Sequence, residues 1–220
     1  AGTPLHPGDI VILNDPYEGG THLNDIAMIY PVFAGGRPLL FSVFRAHWED
    51  VGGMTAGSIS GQATEIYQEG LRIPPIRVYE RGRPNLAFLE TMFLNMRMPE
   101  ERRGDFRAMV GTCRIGERRV RGLLRRLGER LMRAGVVEML DREEARIRQK
   151  IAHLPRGEYR YELYLDPRPD LAEPLVIRVR VQTGDGITVD FTGSSRQMRW
   201  PYYLGQSGAP TGVFMVLKSL

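Results

Sequence analysis

The sequence predicts an α+β fold: antiparallel β-hairpins and sheet, with a long helical segment between two β regions. Three observations carry this reading. Two apolar runs, residues 26–33 and 38–46, are joined by Ala34-Gly35-Gly36-Arg37, a connection of hairpin length. Residues 105–132 repeat apolar side chains at the spacing of one helical stripe. From Glu158 onward the apolar period is two, the period of strands. The chain accordingly divides into a β-rich region over 1–100, a helical segment over 101–155 and an antiparallel β region over 156–220.

In chain order, residues 9–13 (Asp-Ile-Val-Ile-Leu) form a β-branched run that reads as a strand. Asn14-Asp15-Pro16-Tyr17 is a turn, because the residue before proline avoids the helical region. The hairpin comes next. Pairing Phe33 with Pro38 would set Asp25 opposite Ala46 and His47 near Asn24. Glycines at 52, 53, 57 and 61 make a second small-residue loop, and residues 76–79 read as a brief strand behind Pro74-Pro75. The first helix, 105–132, should bury Leu123, Leu124, Leu127 and Leu131 and turn most of its arginines to water or a subunit contact. A second helix is expected from 137 to 153. Residues 158–165, 175–182 and 186–191 read as strands, the last two joined by Thr183-Gly184-Asp185-Gly186.

Composition narrows the class. The 220 residues are 42% hydrophobic and 25% charged, ordinary for a soluble globular chain. The single cysteine, Cys113, excludes an intrachain disulfide framework and a cysteine-based zinc site. No apolar run approaches the ~20 residues that span a bilayer, so no membrane partner is expected and the cytoplasm is the expected location. The net charge of +4 is mild. The arginines of the helical segment interleave with Glu117 and Glu129, and no nucleic-acid motif accompanies them. No nucleic-acid partner is expected. The chain opens without an initiator methionine and stops inside an apolar run, so it reads as a piece of a longer polypeptide.

The chemistry concentrates in one repeated pattern, His-x-x-Asp, at His22-Leu23-Asn24-Asp25 and again at His47-Trp48-Glu49-Asp50. The hairpin should bring both copies to its open end, with the imidazoles on adjacent strands. Two imidazoles and two carboxylates there form a ligand set for a divalent metal. Mixed nitrogen and oxygen donors suit Mn, Fe or Zn better than Ca, which prefers oxygen alone. The alternative is a pair of surface loops whose His and Asp residues make turns and hydrogen bonds. Glu65 and Glu69 are further candidate carboxylates for this site, against the plainer reading of surface glutamates. Cys113 lies on the apolar helical stripe, which argues against a thiol nucleophile, and no Gly-x-x-x-x-Gly-Lys-Ser/Thr loop is present to cradle ATP.

Several segments together carry a resemblance: GDIVILNDPY at 8–17, GGTHLND at 19–25, AHWEDVGG at 46–53, EGLRIPP at 69–75 and VDFTGS at 189–194. In this order they resemble the hydantoinase B/oxoprolinase family, which includes N-methylhydantoinase subunits and subunits of acetone and acetophenone carboxylases. The resemblance implies a hetero-oligomer with a larger hydantoinase A-type subunit that binds ATP and activates a small-molecule substrate by phosphorylation. This chain would then complete hydrolysis of a cyclic amide, or carboxylation of a ketone. It also implies a divalent metal, manganese by preference, on His22, Asp25, His47 and Asp50, with Asp15 as an outer candidate; the same His and Asp residues would be catalytic. The competing class is a non-catalytic assembly subunit of the same complex.

Overall fold

The computed structural model describes residues 4–166, 173–201 and 205–219. The fold is α+β, with a five-stranded antiparallel sheet, a three-stranded antiparallel sheet and a long helix. Two compact units contain them: residues 1–135 with 199–209, and residues 136–198 with 210–220.

In the first unit the strands are β1 (Ile10–Leu13), β2 (Asp25–Ala34), β3 (Arg37–His47), β4 (Ile76–Glu80) and β5 (Arg83–Pro84). Their order across the sheet is β3-β2-β1-β4-β5. One face is apolar because alternate residues of the strands point the same way. Ile10, Ile12, Ile26, Met28, Tyr30, Val32 and Val78 pack there against two helices. The first, α1 (Leu86–Leu94), starts where the Asn85 side chain accepts the Phe88 amide at 3.2 Å. The second, α2 (Pro99–Ala152), contributes Phe106, Met109, Val110 and Cys113.

The hairpin differs from its predicted register in one respect. Phe33 does pair with Pro38, but Val32 pairs with Leu40, so Leu39 is an extra residue on β3. That bulge moves every later pair by one. Asp25 therefore lies opposite His47, not Ala46. Directly opposed residues share a face, so the bulge sets these two side chains together on the side away from the helices.

The helical prediction needs two corrections. Both predicted helices are present, but the first starts six residues earlier, at Pro99, and the second begins ahead of residue 137 and ends at Ala152. Proline is suited to a first helical turn, where its missing N–H has no partner to lose, and Glu100 and Glu101 favour that end electrostatically. The interruption falls at Gly128 (φ 76°, ψ 157°), a backbone state that glycine adopts readily. The expected burial of the leucines also fails. Leu123, Leu127 and Leu131 are 42%, 45% and 56% exposed, and Leu124 is half-buried. The buried apolar positions of this element are Phe106, Met109, Val110, Cys113 and Met132 instead.

The second unit holds β6 (Gly157–Leu165), β7 (Leu175–Thr183) and β8 (Ile187–Asp190) in that order, all antiparallel. The expected alternation on β7 is present, with Arg178 and Arg180 exposed and Ile177, Val179 and Val181 half-buried. Residues 208–219 form α3 (Gly208–Ser219), which takes in the apolar run near the end of the chain.

Candidate metal centre

The site lies at the open end of the β2–β3 hairpin. Trp48 fixes the β3 side of it. The indole is 1% exposed, stacks on Phe93 at 6.4 Å between centroids and donates from Nε1 to Met109 Sδ at 3.3 Å. Burying a ring of this size stabilises the fold by about 3–5 kcal/mol, judged by truncation to alanine in other proteins. Because Trp48 points into the core, His47 before it points out.

Two asparagines fix the loops. Asn14, 1% exposed, donates to the Leu23 carbonyl at 2.6 Å and the Leu71 carbonyl at 2.9 Å, and accepts the Ile73 amide at 2.6 Å. Asn24, equally buried, donates to the Trp48 carbonyl at 2.8 Å, while the Trp48 amide donates to the Asn24 carbonyl at 2.8 Å. One asparagine thus ties the first His-x-x-Asp loop to residues 71–73, and the other ties it to the second. Neither stood out in the sequence beside the histidines. The signal was a second repeat, Leu-Asn-Asp, at 13–15 and 23–25.

On this frame three predicted residues meet. Asp25 Oδ2 is 3.1 Å from His22 Nδ1, and Asp25 Oδ1 is 3.1 Å from His47 Nδ1. The imidazole centroids are 5.9 Å apart in an edge-on arrangement. One ligand atom from each of His22, Asp25 and His47 can be chosen so that all lie within 4.8 Å of one another. Both imidazoles are exposed and Asp25 is half-buried. Burial alone would raise the Asp25 carboxyl. The hydrogen bond with His47, the His22 backbone N–H and the His22 imidazole outweigh it and hold the group below its ordinary value. Asp25 is therefore an anion between two imidazoles, a donor set that fits a divalent metal of the Mn, Fe or Zn type.

Asp50 and Asp15 are not brought into this cluster. Asp50 is 3% exposed and turns inward, accepting the Gly52 amide at 2.8 Å, the Gly57 amide at 2.9 Å and Arg97 Nη1 at 3.2 Å. Arg97 also donates to the Gly53 and Thr55 carbonyls, each at 2.9 Å. Together they fold the glycine loop 51–58. Gly53 (φ 87°) is required there, since a Cβ would come within 2.6 Å of the Glu69 carbonyl carbon. Asp15 caps a short 3-10 turn, Pro16–Glu18, accepting the Tyr17 amide at 2.9 Å, and pairs with Arg72 Nε at 3.3 Å. Of the two further carboxylates, Glu65 opens the 3-10 turn Ile66–Gln68, its amide donating to Gln68 Oε1 at 3.2 Å. Glu69 lies within electrostatic reach of His22. Burial pushes its carboxyl above the ordinary value, and the His22 charge offsets part of that. Cys113 stays a thiol: it is fully buried, and burial pushes it up to about 11.

A hairpin-borne pair of His-x-x-Asp loops on an α+β frame defines the class, and comparison with known proteins agrees. The chain belongs to the hydantoinase B/oxoprolinase family, whose profile matches residues 1–220. It is 34% identical over 158 residues to the caprolactamase subunit beta of Pseudomonas jessenii, a match covering 72% of this chain and 27% of that one. The crystal structure of ATP-dependent caprolactamase from the same organism superposes with a TM-score of 0.92 at 30% identity, over 99% of this chain and 38% of that chain. Nucleotide-free acetone carboxylase shares the fold, with a TM-score of 0.88 at 21% identity, over 98% of this chain and 30% of that one. The chain spans 34% of the length of other curated relatives it matches.

Proposed function

We propose that this chain is part of the B-type subunit of an ATP-dependent complex that opens a cyclic amide or carboxylates a ketone, with His22, Asp25 and His47 holding a divalent metal. The observation that carries the reading is the convergence of both imidazoles on Asp25, 3.1 Å from each. The family supports it: caprolactamase, to which the chain is similar, is ATP-dependent and has a subunit of this type. A bound metal would supply Lewis-acid polarisation of the substrate carbonyl. Asp25, kept ionised by its two partners, orients both rings and supplies the anionic ligand. Glu69, within electrostatic reach of His22 and raised by burial, would be the group to give or take a proton in this reading. ATP and the phosphorylation step belong to an A-type partner subunit in this reading.

The test is elemental analysis and product assay of the full complex carrying His22→Ala or His47→Ala. Each variant should lose stoichiometric metal and product formation together, while ATP hydrolysis continues uncoupled. A metal-free His22→Ala complex that turns over normally would end this reading and leave the assembly-subunit alternative.

A further inference from the structure

A second group of side chains flanks the same loop. The Arg72 guanidinium lies over two tyrosine rings, its Cζ 5.8 Å from the Tyr17 centroid and 5.7 Å from that of Tyr67. Both rings are exposed, at 58% and 73%. Asp15 is the one carboxylate paired with Arg72 among the described residues, and it takes the Nε side at 3.3 Å. No hydrogen bond from Nη1 or Nη2 occurs among the described residues. That end of a guanidinium carries two parallel N–H donors, the geometry that receives a carboxylate or phosphate bidentately.

The placement ties this group to the centre. Arg72 follows Leu71, and His22 precedes Leu23; the carbonyls of Leu71 and Leu23 share the Asn14 amide. From the other flank, Arg45 donates to the Gly19 carbonyl at 3.0 Å and to Thr21 Oγ1, and forms no ion pair among the described residues. Two arginines therefore hold the loop over 15–21; of its two carboxylates, Asp15 and Glu18, Asp15 is the one paired with either arginine among the described residues.

We infer that Arg72, set over Tyr17 and Tyr67, is an oxyanion subsite that binds a carboxylate or phosphate group of a small molecule. The subsite stands on its own geometry. That its ligand reacts at His22, Asp25 and His47 rests on the function proposed above.

The test is arginine-directed labelling with phenylglyoxal on the intact, nucleotide-free complex, with Arg72 followed by peptide mass. Inorganic phosphate and acetate, in separate arms at matched ionic strength against chloride, distinguish the two sources of the oxyanion. Saturating probe of the right kind should slow Arg72 labelling by about fivefold, by mass action. Removing metal with a chelator should leave that protection in place, so failure of the metal reading and failure of the subsite are separable. With probe binding read by titration calorimetry, since the labelled arginine is gone, Arg72→Lys should weaken the probe about tenfold, the loss of one charge-assisted hydrogen bond. Tyr67→Leu, at an exposed position that the fold does not depend on, should weaken it too by releasing the guanidinium. Equal labelling in phosphate, acetate and chloride would overturn the inference, as would a folded Arg72→Lys complex that binds the probe like the parent.

Discussion

At the scale of single residues, the two copies of His-x-x-Asp have diverged in what their aspartates do. Asp25 faces out between two imidazoles, and Asp50 faces in to fold a glycine loop. The Asp50 carboxyl is held below its ordinary value of 3.8. Burial opposes this, but the amides of Gly52, Gly57 and Arg97 and the Arg97 guanidinium together win. A depressed carboxyl contributes stability that is present above its unfolded value and lost as pH falls through the folded one. The stability that Asp50 lends loop 51–58 should therefore be complete above about pH 3.8 and be lost progressively as pH falls from there through the lower folded value. Hydrogen exchange at the Gly52 and Gly57 amides would report the opening. Asp50→Asn should destabilise by about 1–3 kcal/mol at neutral pH, because at least one of the three backbone amides loses its acceptor. Unchanged exchange at those amides in the variant would count against this role.

At the scale of elements, α2 approaches β3 closely at one point. A Cβ on Gly116 would lie 2.0 Å from Ser42 Oγ and 2.9 Å from Ser42 Cβ, so the helix needs a bare backbone there. Gly111, on the same helix, would meet nothing within 4 Å. Gly111→Ala should raise the melting temperature, since alanine in place of glycine gains about 0.4–1 kcal/mol. Gly116→Ala should lower it, because overpacking costs about 1–3 kcal/mol and outweighs that gain. Equal shifts for the two would show that α2 does not pack on Ser42. The elements were largely readable from the sequence, because period and turn chemistry are local. The hairpin was found from Gly35-Gly36 and its flanking runs, but its register was not, because the bulge at Leu39 leaves no compositional mark. The exposed half of the helical stripe misled for a related reason. Leu123, Leu127 and Leu131 have the spacing of core residues, yet they are exposed while Met132 beside them is buried, and which side of a helix finds a partner is a tertiary matter that periodicity cannot express. At the site, the repeated His-x-x-Asp located His22, Asp25 and His47, while the inward turn of Asp50 depends on Arg97, forty-seven positions away in the chain.

At the scale of the whole molecule, the two units differ in how they are held together. The buried apolar cluster belongs to the first unit, from Ile10 to Cys113. In the second, Leu175 is the one buried apolar residue among those described, while Tyr161, Tyr164, Met139 and Leu140 are 69%, 59%, 71% and 66% exposed. A three-stranded sheet with so little apolar burial does not offset the entropy of ordering its chain. An excised piece spanning residues 136–198 should show no cooperative unfolding by circular dichroism; a sharp thermal transition would refute this. The first unit has the opposite property, and its buried asparagines put that rigidity to use. Asn14 and Asn24 grip main-chain carbonyls and not neighbouring side chains, so the rim of the site is suspended from the backbone itself. The lining can then be exchanged while the supports stay put. A library randomised at Tyr17 and Tyr67 should retool the ligand preference of this scaffold and leave the spacing of its imidazoles intact.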